Sequence, residues 1–367
     1  MLLFSVSVWL IGMSESIHSL IFWRFVQGVA GGLLIPVGQA LVFALFPNHE
    51  RQRISTMIMA IALIAPAFSP TIGGMIIDAL SWRWVFFANI PFTMITAFLA
   101  WRWIKETQAK TSGKPDFLGL FMVNVSLLCL LLSFSLFNDY HSVVLAISSF
   151  LLSITMLLIY LKYAKGSAHP VLNLQLLKNY NLRNAFIVYY AVPGIFTGVN
   201  LLNIFNLQRN LGFNAKQTGL FMLLYAVGAL VSMTSGGLLY RHLGKKQLFI
   251  IGITLHSLGI SLLFWVSNAN DLSTLMVAYL LMGMGGGLSA NTAQISALID
   301  FNGQDLLQGS VLWNINRQVA FSLGTVVLIS IFSLLPAAND LLRYQQTFMI
   351  AALLCLLSLI TIFKVKT

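Results

Sequence analysis

Apolar residues in this chain gather into long blocks separated by short polar interruptions. Twelve blocks can be marked, at residues 1–13, 18–45, 54–77, 84–104, 117–137, 142–163, 184–206, 217–239, 247–267, 273–299, 308–335 and 344–364. A helix crosses hydrocarbon with roughly 20 apolar residues, so every block but the first is long enough alone. The pattern predicts an all-α, polytopic membrane protein with about 12 transmembrane segments, the first of them partial. The third block contains Ala65-Pro66-Ala67-Phe68-Ser69-Pro70-Thr71-Ile72-Gly73-Gly74. Its prolines free backbone carbonyls that lipid cannot satisfy. Ala65, Ser69 and Gly73 recur every fourth residue and form a close-approach face. Either this is a bent helix on which one bundle pivots against another, or it reflects only the general abundance of Pro and small residues in membrane helices. A second stripe, Gly228, Ser232 and Gly236 on segment eight, is expected to pack on the first across the interface between halves. The predicted pivot thus comprises Ala65, Pro66, Ser69, Pro70, Gly73, Gly74, Gly228, Ser232 and Gly236.

Composition supports the membrane reading. The chain is 58% hydrophobic and 8% charged, against about 25% charged in soluble domains. Met1 leads directly into apolar sequence without a basic region or small-residue cleavage site, so no cleavable signal peptide is expected. The net charge of +11 is explained by loops better than by nucleic acid. Loops after odd-numbered segments hold only Arg83, Arg209, Lys216 and Arg343, and Arg24 and Arg317 lie inside segments. Every other Lys and Arg lies at the C-terminal end of an even-numbered segment, in the loop after it or in the C-terminal tail. This asymmetry places the even loops and the C-terminus in the cytoplasm; the expected location is the plasma membrane, in a bacterium the inner membrane. Cys129 and Cys355 sit in apolar runs and read as small buried hydrophobes, with no metal site and no cofactor expected.

Embedded polar groups mark candidate chemistry, because charge in a bilayer is costly. Segment two carries Arg24, Gln27 and Gln39; Arg24 either lines a pathway or snorkels to the outer interface. Arg317 lies deeper, in segment eleven, and shares a face with Ser310 and Asn314. Asn200 and Asn203 are one turn apart on segment seven, as are Asn291 and Gln294 on segment ten. Any one amide is explained by a bond between helices, whereas four helices with polar stripes point to a cavity. The candidate substrate-binding set is therefore Arg24, Gln27, Gln39, Asn200, Asn203, Asn291, Gln294, Asn314 and Arg317. All ten carboxylates fall at helix ends or in loops. His256 is the one clearly embedded histidine and reads first as a packed core residue. No His/Asp/Glu cluster or Cys–His pair suggests an enzyme.

Several motifs carry a resemblance. Arg24-Phe25-Val26-Gln27-Gly28 resembles the R-x-x-Q-G motif of major facilitator carriers. Ser69-Pro70-Thr71-Ile72-Gly73-Gly74 resembles their antiporter motif G-P-x-x-G-G, with Ser69 in place of the first Gly. Ser81-Trp82-Arg83-Trp84-Val85-Phe86-Phe87-Ala88-Asn89-Ile90-Pro91 resembles the W-R-W-x-F-x-x-N-x-P stretch of fourteen-helix drug:proton antiporters of the EmrB/QacA type, and Gln208 to Gly219 matches a further motif of that subfamily. The resemblance runs nearly the whole chain. It places these motifs on the family's fourth and fifth helices, whereas here they fall on segments two and three. That register implies that the family's first two helices, with the acidic residue tied to proton coupling and the first gating motif, are absent from this sequence. Residues 237–246 resemble the C-terminal copy of the gating motif, with Gly237, Arg241, Gly244 and Lys245 as its marked positions and Arg241 where Asp is expected.

The implied organisation is a remainder of the N-terminal bundle at 1–106, two extra central helices and a cytoplasmic linker at 107–183, and a C-terminal six-helix bundle at 184–367. Within the linker, Asn173 to Leu177 either forms a short interfacial helix or is plain connection. The expected activity is secondary active efflux of multidrug or other amphipathic small molecules by alternating access, as proton antiport in a full-length form. Its partners would be the small amphipathic substrate, the lipid bilayer and protons, with a periplasmic adaptor and an outer-membrane channel in a double-membrane bacterium. The other classes are a truncated remnant or accessory protein that does not transport, and a metabolite importer on the same fold.

Overall fold

The computed structural model describes residues 1–45, 54, 57, 72–77, 79–103, 116–137, 142–167, 170–301, 303–336 and 338–363. Among these the chain is helical, with no strand. The helices used below are α1 (Leu2–Gly12), α2 (Ile17–Leu45), α3 (Trp82–Trp103), α4 (Phe117–Phe137), α5 (Val143–Gly166), α6 (Tyr180–Asn210), α7 (Lys216–Gly236), α8 (Leu243–Trp265), α9 (Leu272–Leu298), α10 (Gly303–Leu334) and α11 (Asp340–Ile362). From α3 onward each is long and apolar enough to span hydrocarbon, as the blocks predict. At about 1.5 Å per residue, α1 reaches only halfway across. The chain forms two units, Met1–Arg51 with Phe68–Gly113, and Gln52–Ala67 with Lys114–Thr367.

In the first unit, α1 packs on α2 and α3 through small residues. Gly12 lies flat on the Phe87 ring, leaving no room for a Cβ. Ser5 Oγ donates to Thr93 Oγ1 at 2.9 Å, and Arg83 Nη2 donates to the Ser14 carbonyl at 3.3 Å. The Asn-x-Pro step of the aromatic motif is a repaired helix break. The Asn89 N–H shifts to the Phe86 carbonyl, and Asn89 Nδ2 takes up the Val85 carbonyl at 2.8 Å. A backbone interrupted near Pro91 is thus kept satisfied inside an apolar segment.

In the second unit, α4 and α5 form a hairpin closed by serines. Ser126 Oγ donates to the Ser153 carbonyl at 2.9 Å, and Ser153 Oγ to the Ser126 carbonyl at 2.7 Å. Ser149 Oγ reaches the Cys129 carbonyl at 2.9 Å. Small hydroxyl residues let two backbones approach where lipid offers no competing partner.

The connection after this hairpin is strapped down. Tyr160 Oη accepts from the Leu172 N–H at 2.8 Å and donates to its carbonyl at 3.0 Å. Asp116 accepts from Tyr163 Oη at 2.7 Å, the Gly119 N–H at 2.8 Å and the Val171 N–H at 3.2 Å. The expected short helix is present as a 3₁₀ turn at Leu174–Lys178, capped by Asn173. Asn173 Nδ2 also donates to Gln308 Oε1 on α10 at 2.9 Å. The linker therefore ties the central hairpin to the C-terminal bundle.

Burial alone would raise the Asp116 pKa, but its three donors outweigh burial and hold it below the ordinary aspartate value of 3.8. A depressed value stabilises the folded linker fully above the ordinary value, and the stabilisation is lost as pH falls through the folded one. Deuterium uptake at residues 170–178 is expected to stay low from neutral pH down to that range and rise below it. Asp116→Asn is expected to raise uptake at neutral pH and flatten the profile.

Helices α7, α8 and α9 nest through glycine. A Cβ at Gly283 would run into the Tyr225 carbonyl, and one at Gly285 into the backbone of His256 and Gly252. A Cβ at Gly228 would stand 2.5 Å from the Leu280 carbonyl, one at Gly287 2.7 Å from Ser232 Oγ, and one at Gly236 2.9 Å from a Leu288 methyl. The segment-eight stripe thus has a neighbour in its own bundle, while most of the expected partner on the third segment lies outside the described residues. Gly228, Ser232 and Gly236 face α9 inside their own bundle, and Ser232 is 5% exposed. Small residues permit close approach without specifying to what. The other half of the predicted pivot, Ala65, Pro66, Ser69 and Pro70, lies outside the described residues, while Gly73 and Gly74 are helical and half-buried.

Candidate functional site

The C-terminal bundle carries an aromatic and polar cluster in its middle, built from α6, α7, α8 and α10. Pro193 cannot donate to the helix ladder, and α6 widens into a π turn at Tyr190–Gly194. Thr197 Oγ1 donates to the Pro193 and Gly194 carbonyls at 3.0 and 2.7 Å, and Cys355 Sγ to the Ala191 carbonyl at 2.8 Å. Such bulges re-aim side chains and recur at functional sites. The turn is pressed onto α10, where a Cβ on Gly324 would enter the Gly194 carbonyl and one on Gly198 would stand 2.7 Å from that of Gly324.

Just before the bulge, Tyr189 meets Trp313 edge-on at 5.0 Å and Phe321 at 5.7 Å. Beyond it, Phe196 stacks on Tyr225 at 4.0 Å and touches the His256 ring at 5.7 Å. The Arg317 guanidinium lies beside the Tyr189 hydroxyl. Arg317 is half-buried, and its Nε has no hydrogen-bond partner among the described residues. Trp313 Nε1 and both amide atoms of Asn316, at helical spacing from it on α10, are also buried without partners. Orphaned buried groups cost about 1–3 kcal/mol each, which marks this face of α10 as a candidate polar surface. Every described carboxylate, namely Glu15, Asp116, Asp271, Asp300, Asp305 and Asp340, lies at a helix end or in a connection.

The amides expected to line a cavity divide into distinct roles. Asn203 Nδ2 donates to Tyr279 Oη at 2.9 Å, a bond between α6 and α9. Asn314 Nδ2 donates to the Ser310 carbonyl of its own helix at 2.9 Å. Asn291 Nδ2 makes a long bond to the Met233 carbonyl, 3.4 Å, and leaves its Oδ1 unpaired. Gln294 is buried, and half-buried Asn200 has an unpaired Oδ1. His256 Nδ1 bonds the Met282 carbonyl at 2.8 Å, and its Nε2 has no partner. In the first unit, Arg24 is exposed. Its Nη1 donates to Gln27 Oε1 at 3.1 Å, and its guanidinium lies over the Phe86 ring at 4.7 Å. Gln39 is on α2, with its side chain outside the described set.

Sequence patterning missed Tyr189, Phe196, Tyr225 and Trp313, since aromatic residues in apolar runs carry no distinguishing mark. Pro193-Gly194 inside an apolar segment was the available signal.

At the gating stretch, helical geometry continues from α7 through Gly237 and Arg241 until Gly244, whose φ of 72° favours glycine. The next residue, Lys245, donates from Nζ to Asn181 Oδ1 at 2.6 Å. Asn181 and Asn179 each donate from Nδ2 to Asp300 Oδ2, at 2.8 and 2.9 Å. An amide therefore bridges cation and carboxylate at this end of the bundle.

Comparisons with known proteins agree with this architecture. The profile of the Major Facilitator Superfamily matches residues 1–301 and 185–367. Multidrug resistance protein 3 of Bacillus subtilis (strain 168) is 24% identical over 303 residues, 82% of this chain and 59% of that protein. The Multidrug resistance protein B homolog of Mycobacterium tuberculosis (strain ATCC 25618 / H37Rv) is 27% identical over 336 residues, 89% of this chain and 62% of that protein. The chain thus spans about three fifths of the length of these curated relatives. Among solved structures, the human organic anion transporter MFSD10 (TETRAN) superposes with a TM-score of 0.63 at 17% identity, covering 98% of this chain and 75% of that one. With a profile match over both halves and a helical bundle of the same fold, the chain belongs to the Major Facilitator Superfamily.

Proposed function

We propose that this chain is a secondary active transporter that exports amphipathic small molecules by alternating access, of the fourteen-helix drug-exporting type. The observation that carries this reading is the guanidinium of Arg317 beside Tyr189 in an aromatic wall, while every described carboxylate lies at a helix end or in a connection. A cation kept in a membrane segment at such expense marks a substrate path. It favours cargo with an anionic or polar head and an apolar body. The multidrug-resistance names of the relatives support export over import. Asn200 and Asn291 would add hydrogen-bonding capacity, and Lys245–Asn181–Asp300 would hold the cytoplasmic end of the bundle closed in one state.

Rocking of two helical lobes supplies the access change. The loop-charge asymmetry supports a cytoplasmic C-terminus, and the bacterial relatives support an inner-membrane location. Proton antiport would require a titratable group that changes environment. His256 is the embedded candidate among the described residues, its Nε2 lacking a partner. Expression of the chain in cells stripped of their own exporters is expected to lower steady-state accumulation of an amphipathic anionic dye severalfold. Equal accumulation with and without the chain, across anionic, neutral and cationic dyes, would overturn the proposal.

A further inference from the structure

The central hairpin and α10 line an open cleft away from the Arg317 cluster. It measures about 360 Å³, within the ~300–1,000 Å³ of ligand pockets. Its floor is made of small residues from three helices, Ser133, Ala146 and Ser330, which are 5%, 3% and 8% exposed. Phe134, Phe137 and Phe150 form its walls. Both floor hydroxyls are turned back on their own helices, Ser133 Oγ to the Leu130 carbonyl at 2.6 Å and Ser330 Oγ to the Val326 carbonyl at 3.0 Å. The lining therefore presents carbon alone, and none of its residues is charged.

Water does not settle in such a space, since a buried water needs two to four polar partners. An empty void forfeits dispersion contacts along its whole lining. Hydrocarbon satisfies both constraints. The mouth opens beside Ile147 and Leu151, which are 56% and 58% exposed and face the surrounding bilayer in a membrane-spanning chain. We propose that this cleft is a lipid site that holds one acyl chain of a membrane phospholipid. The chain acts as a wedge filling the junction between the central hairpin and the C-terminal bundle. A second copy of the protein is disfavoured because the floor is recessed behind three phenylalanines. Export cargo is disfavoured because the cleft offers its polar head nothing to bond. The proposal rests on the membrane fold and stands independently of the export reading.

The test uses the full chain in nanodiscs containing phosphatidylcholine with a diazirine-bearing acyl chain, irradiated and mapped by peptide mass spectrometry. Adducts are expected on Phe134 and Phe150 at about fivefold the level on Phe121 and Val144, an enrichment worth about 1 kcal/mol. The latter two face outward on the same helices and are 62% and 80% exposed. Ala146→Trp and Ser330→Phe, which fill the floor from different helices, should each abolish the enrichment while leaving the Phe121 and Val144 adducts in place. Even labelling over all four positions would overturn the proposal, and the wild-type map decides this without either variant. Enrichment displaced by an amphipathic dye but not by unlabelled phospholipid would also overturn it, by making the occupant cargo.

Discussion

Replacing Arg317 with Gln is expected to cut export of an amphipathic carboxylate at least about tenfold, while export of its neutral amide changes little. A hydrogen bond to a charged group contributes about 1.5–3 kcal/mol, and 1.4 kcal/mol is a factor of ten. The group placed beside the guanidinium is the Tyr189 hydroxyl, a neutral acceptor, so Gln strands no known counter-charge in the bundle and the helices should still assemble. Arg317→Lys keeps the charge but not the planar fork, and intermediate export is expected. Tyr189→Phe removes only the hydroxyl and should weaken export less than the loss of charge does. The check is a paired efflux assay, acid against amide, at matched amounts of protein in the membrane. An equal loss for both cargoes would assign Arg317 to structure.

A still larger effect is expected from the smallest possible change at Gly283. The Cβ of Gly283→Ala would clash with the Tyr225 carbonyl, which is backbone and cannot rotate away. Relief requires α7 and α9 to separate along a seam that also contains Gly228 and Gly287. Overpacking of this kind costs about 1–3 kcal/mol even where side chains can adjust, and here none can. Gly283→Ala is therefore expected to lower the melting temperature in detergent by many degrees or to prevent assembly. Gly166→Ala is the matched control, since no described atom lies within 4 Å of a Cβ placed there, and it should behave as wild type. Melting followed by tryptophan fluorescence on both variants reads the difference.

The two predictions differ in how far the amino-acid sequence foretells them. Arg317 is conspicuous in the sequence alone, because a lone charge in an apolar segment violates the pattern around it. Helix positions are equally legible, since the bilayer enforces the length of each apolar run. Partners are not. Gly228, Ser232 and Gly236 announce a close-approach face, and the structure seats that face on α9, because periodicity marks a surface without naming its complement. Asn203 and Asn314 look like cavity groups, and geometry alone shows one bonding Tyr279 and the other its own helix. The aromatic wall is silent for the opposite reason, as Tyr189, Tyr225 and Trp313 are apolar enough to pass as lipid-facing residues. The serine clasp between α4 and α5 escapes notice because single serines among leucines carry no strong periodic signal. Once paired, Ser126 and Ser153 bond reciprocally across the hairpin.

The central claim, that this chain moves amphipathic anions through its bundle by way of Arg317, is tested most directly in liposomes. The purified chain is reconstituted, a fluorescent amphipathic carboxylate is loaded on one side, and its release is followed under an imposed proton gradient. Protein-dependent release is expected to exceed the leak of empty liposomes and to fall to that leak with Arg317→Gln. Release indistinguishable between empty, wild-type and Arg317→Gln liposomes would contradict that claim.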